Sequence, residues 1–435
     1  MLKYLHFKNI GPAPEMELEL ASRLNLITGD NGLGKSFLLD VAWWALTRRW
    51  PQEVNAKLTS GYAARPTDPK KPATIEFHVS SKSKKDVSYT SQYAPRDESW
   101  LGKVGRPLNP GLVIYAHADG SFSVWDPARN YWKKKGNIDV QERLPGYVFS
   151  PKEVWDGLEV DISGKATTVC NGLLRDWASW IREGGVAAQN MATVLKQLSP
   201  SKNAHDRLEP GPLTRITVND ARDIPSLKSG YAKAIPILHA SSGVRRVVAL
   251  AYMLLWSWNE HRLAAKQLGE DFAPQVVLLI DELESHLHPR WQRSILGSLL
   301  KLATLLHKTA KIQLITATHS PLVMASAEPT FDPKLDAWFD LDQTSDQKVE
   351  LVKRPFVRRG DISNWLTSEA FDLKEPRSLE AEQAITLARE LLVQTKTPPV
   401  HEFQKVDQEL RKVLGEMDPF WIRWSYHIEE LRGAK

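Results

Sequence analysis

The run Gly29-Asp30-Asn31-Gly32-Leu33-Gly34-Lys35-Ser36 fits the pattern G-x-x-x-x-G-K-[ST]. It constrains the fold more than any other feature of the chain, because the pattern works only between a strand and a helix. An apolar stretch, Leu24-Asn25-Leu26-Ile27, runs straight into it. Behind it, Phe37, Leu38, Val41, Trp44 and Ala45 recur at helical spacing as far as Trp50, and Pro51 is expected to stop that helix. Glycines at such a junction let backbone N–H groups curl around phosphate oxygens at a helix N-terminus. Gly29, Asn31, Gly32 and Gly34 are expected to line the loop. Lys35 is expected to reach the outer phosphates of a nucleotide, and the Ser36 hydroxyl to ligate Mg²⁺. The implied class is α/β, a P-loop nucleoside triphosphatase fold binding ATP and Mg²⁺.

Later segments supply groups that such a loop needs. Val276 to Ile280 is an apolar strand ending in Asp281-Glu282. At that place the first carboxylate holds Mg²⁺, and the second orients and deprotonates an attacking water. A second apolar strand, Ile312 to Thr316, leads to Thr318-His319-Ser320-Pro321. A histidine at a strand end beside the nucleotide crevice can hydrogen-bond the γ-phosphate. Ala240-Ser241-Ser242-Gly243 opens a long amphipathic helix over 244–268. Ser241, Ser242 and Gly243 there make either an ordinary helix cap or an anion site that closes on a nucleotide held by another subunit. Asp281 to His288 is dense in acids and imidazoles, but its His-x-His pair lacks the helical i, i+4 spacing of a metal site on a helix.

Composition limits the remaining classes. One cysteine, Cys170, excludes an internal disulfide framework and a Cys-cluster zinc site. The longest apolar stretch, Val247 to Trp256, is too short to cross a bilayer, and the N-terminus lacks the apolar core of a signal peptide. A cytoplasmic protein with no membrane partner is expected. The formal net charge is +5, and residues 65–135 hold 13 Lys and Arg against 7 Asp and Glu. The excess therefore sits in that segment, with Lys82, Lys84, Lys85 and Lys133 to Lys135 as its loop-like core. A solvated surface is one reading of it, and phosphate contact with DNA or RNA the other.

The expected organisation is an N-terminal lobe with the P-loop (1–64) and an inserted β-rich basic lobe (65–148), the latter marked by a hairpin at Asp119-Gly120. A helical subdomain (149–235), a second lobe of the core (236–345) and a C-terminal β segment with a helical tail (346–435) follow. In the tail, Leu379, Ala384, Ala388 and Leu391 share a face. Phe403 to Met417 repeat at 3–4 spacing, and Phe420, Trp421, Trp424 and Ile428 line the last segment. These faces either complete a core or anchor an oligomer or effector contact. Asp340-x-Asp342 reads as surface.

Taken in order, the N-G-x-G-K-S loop, Ser241-Ser242-Gly243, Asp281-Glu282, Glu284 to Pro289 and the T-H-S-P segment resemble ABC-type ATPase heads of the RecF, SMC and OLD-nuclease kind. The runs I-L-H-A-S-S-G-V-R-R and D-E-L-E-S-H-L-H-P-R-W-Q-R resemble PtuA-like ATPases of bacterial anti-phage (Septu and retron-associated) systems more closely. The resemblance implies Walker A at 29–36, Walker B at Asp281 and Glu282, a D-loop at 284–289 and His319 as the switch histidine. It implies a signature at Ser241 to Gly243 that meets nucleotide on a partner head. It also implies ATP hydrolysis, head-to-head self-association and a separate HNH-type nuclease effector. Ala240 and Val244 replace the Leu and Gln of the common L-S-G-G-Q signature, which leaves room for Arg245 or Arg246 to touch nucleotide or a partner. Gln141 is one candidate for a Q-loop, and there is room for none. No sustained heptads and no nuclease motif are visible. A RecF-like DNA-repair ATPase and a nucleotide-gated scaffold with little turnover are the alternative functions.

Overall fold

The computed structural model describes residues 1–435 apart from 82–85, 103–107, 202, 204–205, 230–231, 394–398 and 434–435. Lys82, Lys84 and Lys85 thus lie outside the described residues. The chain divides into two compact units, 1–360 and 361–435.

In the first unit the chain begins with β1 (Leu2–Lys8), β2 (Glu15–Glu19), β3 (Leu24–Gly29), α1 (Lys35–Thr47) and α2 (Pro51–Val54). It continues through β4 (Thr74–Ser80), β5 (Asp86–Ala94), β6 (Ser99–Trp100), β7 (Leu112–Ala116), β8 (Phe122–Trp125), α3 (Pro127–Asn130), β9 (Lys133–Lys135), β10 (Ile138–Val140) and β11 (Tyr147–Phe149). Next come α4 (Pro151–Asp156), β12 (Leu158–Ile162), β13 (Lys165–Cys170), α5 (Leu173–Glu183), α6 (Val186–Gln197), β14 (Glu209–Pro210), β15 (Ser226–Ser229) and β16 (Ala232–Pro236). The unit closes with α7 (Ser242–Gln267), β17 (Gln275–Ile280), α8 (Pro289–Leu306), β18 (Lys311–Ala317), α9 (Pro321–Ala327), β19 (Asp336–Gln343) and β20 (Val349–Arg354).

Two sheets carry the unit. The larger has the order β11-β8-β7-β17-β18-β3-β19-β20. Its five central strands, β7 to β19, are parallel, and antiparallel strands close both edges. The central strands read as continuous apolar runs because both faces are covered. The smaller sheet, β2-β1-β4-β5-β6, is antiparallel and alternates: Leu5, Phe7, Ile75 and Phe77 point inward while Glu15, Glu17 and Glu19 face solvent.

Helix α1 lies between the two sheets. Trp43 and Trp44 share one apolar core with Phe7 and Phe77 of the small sheet and with Val277, Leu279, Ile315 and Phe339 of the large one. Burial on nearly every face explains why α1 is so apolar, and each large side chain so buried contributes about 1.5–3 kcal/mol. The helix ends earlier than its sequence suggests. Arg48 takes a left-handed conformation (φ 65°) and its N–H caps the Trp44 carbonyl. Pro51 does not terminate α1; it starts α2, at a position where its missing N–H costs nothing. Helix α7 packs on the other side of the large sheet, along β7, with α3, α4 and α6 against it.

Several boundaries differ from expectation. Residues 65–148 form no separate lobe: β4 to β6 extend the small sheet, while β7, β8 and β11 join the large one. Among the described strands of this stretch, only those of the short β9–β10 hairpin stand outside both sheets. Strand pairing, which composition does not encode, decides this. Among the described residues, 149–235 hold α4, α5 and α6 but also the β12–β13 hairpin and most of the three-stranded sheet of β14, β15 and β16. Strand β20 pairs with β19, so residues to 360 belong to the core and not to the tail. Asp340 is fully buried, not a surface residue, because its strand β19 is interior.

The second unit holds α10 (Ile362–Leu366), α11 (Leu379–Val393), α12 (Val400–Val413) and α13 (Phe420–Gly433). Ala384, Ala388, Leu391, Phe403, Leu410, Phe420 and Trp424 make a core of its own. Leu379, expected on that face, is exposed, as is Met417.

Candidate nucleotide site

The strand order places β18 between β3 and β17, so three C-terminal strand ends lie side by side. Backbone bonds fix their loops: Thr318 N–H donates to the Ile27 carbonyl at 3.0 Å and Leu283 N–H to the Ala317 carbonyl at 3.3 Å. Asp281 N–H donates to Ala116 at the end of β7. This convergence, at the carboxyl ends of parallel strands, is where open α/β sheets bind ligands.

The loop 29–36 leaves β3 through Gly29, whose φ of 132° and close approach to the Leu341 carbonyl leave no space for a side chain. Asn31, Gly32 and Ser36 are exposed, and Gly34 caps α1 without any side-chain bond. The first turn of α1 therefore presents free N–H groups and carries no acid. Lys35 is buried, and its ammonium donates to the Gly29 and Asp30 carbonyls at 2.8 and 2.7 Å. Burial lowers its pKa against the opposing pull of Asp281 and Asp30. A cation held only by carbonyls is poised to exchange them for phosphate oxygens.

Asp281 is 4% exposed, and its Oδ1 has no hydrogen-bond partner. Burial raises its pKa, and the Ser36 hydroxyl, Arg246 and Lys35 oppose that rise. A buried carboxylate oxygen without a partner, beside a serine hydroxyl, has the chemistry of a Mg²⁺ ligand pair. Among the described residues no group of three His, Cys, Asp or Glu side chains is placed to cage a metal alone. A cation here would draw its other ligands from phosphate and water.

Glu282 is half-buried and adopts φ 48° at the turn out of β17. His319 is half-buried, and its pKa falls through burial and then through the Lys35 charge, a shift towards the neutral imidazole. The Glu284 carboxylate accepts from Thr318 Oγ1 at 2.6 Å and from the His319 N–H at 2.5 Å. Glu284 thus pins the histidine loop to the loop after β17.

The expected signature segment, Ser241 to Gly243, opens α7. Ser241 is the N-cap of α7 and its hydroxyl accepts from Val244 N–H at 3.4 Å, so the capping role is real. Ser241 and Ser242 are exposed, while Gly243 is buried against the His286 carbonyl with no space for a Cβ. Ser242 and Arg245 open onto a cavity of about 250 Å³ that no residue of 29–36 lines. Arg246 does not reach outward: its guanidinium donates to main-chain carbonyls of its own core. Gln141 is exposed and accepts from Arg49.

Two networks escaped the sequence. Thr28, at the root of the loop, donates to Asp340 Oδ1 and accepts from Trp338 Nε1, each at 2.7 Å, and Arg354 faces Asp340 at 3.3 Å. Asp40 of α1 accepts from the Tyr115 hydroxyl at 3.0 Å. Each joins residues far apart in the chain, so no local pattern reveals it.

Residues 24–325 match the family described as "AAA domain, putative AbiEii toxin, Type IV TA system". The chain belongs to this AAA-domain family. It is also PtuA-like: the Septu protein PtuA of Bacillus thuringiensis is 30% identical over 95% of this chain and 96% of its own length. The Septu protein PtuA of Bacillus mycoides is 33% identical over 145 residues, and the retron Ec83 probable ATPase of Escherichia coli is 28% identical over 155. Those stretches cover 33% and 35% of this chain but only 18% and 25% of the two relatives. Among solved structures, the SMC head domain from Thermotoga maritima aligns with 81% of this chain and 99% of its own at 16% identity, with a TM-score of 0.39. In this AAA-domain family member, then, the loop 29–36, the Asp281-Glu282 turn and the His319 loop lie at neighbouring strand ends, and Ser242 opens onto a cavity that none of residues 29–36 lines.

Proposed function

We propose that this PtuA-like protein binds and hydrolyses ATP between two heads and thereby controls a separate nuclease effector in an anti-phage system. The observation that carries the reading is the meeting of Lys35, the unpartnered Asp281 Oδ1, Glu282 and His319 at adjacent strand ends. Lys35 and the α1 N-terminus hold the phosphates, and His319 hydrogen-bonds the γ-phosphate. Glu282 orients and deprotonates the attacking water. Asp281 and Ser36 would hold Mg²⁺, which supplies charge neutralisation on the phosphates. Ser241 and Ser242 are exposed, and none of residues 29–36 lines the cavity that Ser242 opens onto, which suits a second head whose nucleotide they complete.

Glu282→Gln tests the hydrolytic assignment. Mg·ATP binding should persist while phosphate release falls by roughly 10²–10⁴-fold. Unchanged release in the purified variant refutes the role of Glu282. Tight ATP binding with no measurable release in the unmodified protein favours a nucleotide-gated scaffold. Turnover stimulated by DNA with no partner present favours a RecF-like repair ATPase.

Ion pairing weakens the case for DNA or RNA at 65–135. Arg65 faces Glu98, Lys71 faces Asp68, and Lys133 and Lys135 both face Glu142. Arg129 is turned inward onto the buried Asp126.

A further inference from the structure

Arg246 sits one turn into α7, five residues after the N-cap Ser241. Its Nη1 donates to the Ala118 carbonyl at 2.7 Å. Its Nη2 lies 3.0 Å from the Asp281 carbonyl, 3.3 Å from that of Glu282 and 3.4 Å from that of His117. The guanidinium therefore spans the ends of two parallel strands, β7 and β17, and grips the main chain of the two residues that carry the proposed chemistry. A planar fork with five donors suits several carbonyls at once; a lysine ammonium has a single nitrogen to offer.

Two neighbouring contacts give this grip a direction. Gly243, three residues before Arg246, packs on the His286 carbonyl of the loop after Walker B. Glu284 in that loop holds Thr318 and the His319 N–H. A chain of contacts thus runs from the start of α7 through residues 281–286 to the histidine loop. Glu282 needs such support, since a left-handed φ is unfavourable for a residue with a side chain.

We infer that Arg246 is a positioning residue that holds the Asp281-Glu282 turn in its working conformation and ties it to the signature end of α7, so that docking of a second head there is transmitted to Glu282. The inference rests on the proposed turnover at Glu282. It differs from the outward role that an arginine following the signature first suggests.

Arg246→Ala and Arg246→Lys, compared with the unmodified full chain, test it with two readouts. In steady-state phosphate release from Mg·ATP, Arg246→Ala should lose about 100-fold in kcat, the order expected for a misplaced catalytic group, with KM changed less than about threefold. Arg246→Lys should recover only a small part of that loss, because it restores the charge without the fork. In amide hydrogen exchange, protection of residues 281–287 should fall while that of 29–40 stays. Unchanged kcat overturns the inference, and so does a loss of protection spread evenly over the first unit together with matched losses in kcat and nucleotide binding. If the unmodified chain releases no phosphate, the ATPase reading fails and exchange alone decides. Loss confined to 281–287 then supports the positioning role, and unchanged exchange there overturns it.

Discussion

Asp40 offers a quantitative test of how the P-loop helix is embedded. It lies on α1 near Walker B, and burial pushes its pKa up to about 7 from the ordinary 3.8; the Asp281 charge adds to the rise and the Tyr115 hydroxyl opposes it. A folded-state pKa above the unfolded one means that the folded state binds the proton more tightly. Stability is then fully present below about pH 3.8 and is lost as pH climbs through about 7, where half of the carboxyl is ionised in the fold. The rise corresponds to about 4 kcal/mol above pH 7 and about 1.5 kcal/mol at pH 5. Asp40→Asn keeps an acceptor for Tyr115 and removes the ionisation. It should therefore stabilise the nucleotide-free protein by roughly 2–3 kcal/mol more at pH 8 than at pH 5. For a unit of this size that is roughly 3–5 °C of additional gain in Tm. Thermal unfolding of both proteins at the two pH values measures it. An equal gain at both pH values, or a loss at pH 8, would refute the claim that Asp40 is held in an ionisation-averse site.

Two further substitutions probe the supports of the site. Thr28→Val is nearly isosteric but removes the hydroxyl that accepts from Trp338 Nε1 and donates to Asp340. It should cost about 2–4 kcal/mol in denaturant unfolding and weaken Mg·ATP binding measured by calorimetry, and unchanged stability would contradict the network. Gly243→Ala gains up to about 1 kcal/mol of helix propensity, but its Cβ would overlap the His286 carbonyl, so a net loss of about 1–2 kcal/mol and slower phosphate release are expected. A more stable, fully active variant would show that α7 and the 281–286 loop are not tightly packed there.

The phosphate loop, the Asp281-Glu282 strand end, the capping Ser241 and the histidine loop were all legible in the sequence. Each depends on a short run of residues whose local chemistry forces a strand end, a helix start or a glycine turn. The central apolar strands and α7 were legible for the same reason, since burial on both faces leaves uninterrupted apolar runs. What only the tertiary structure decided is which of these segments meet. Residues 65–148 looked like a lobe because their composition is polar and basic, yet hydrogen-bond pairing across strands distributes them over two sheets. Asp340 looked like a surface acid because its burial depends on β3 and β20 beside it, and on Thr28 more than 300 residues away. Arg246 looked free to reach a partner because nothing local shows the carbonyls of 117, 118, 281 and 282 that turn it inward. Local sequence determines a segment's conformation and chemistry through its own dihedral and hydrogen-bonding preferences. The pairing order of the parallel strands, a long-range property, determines which chemistries share a site.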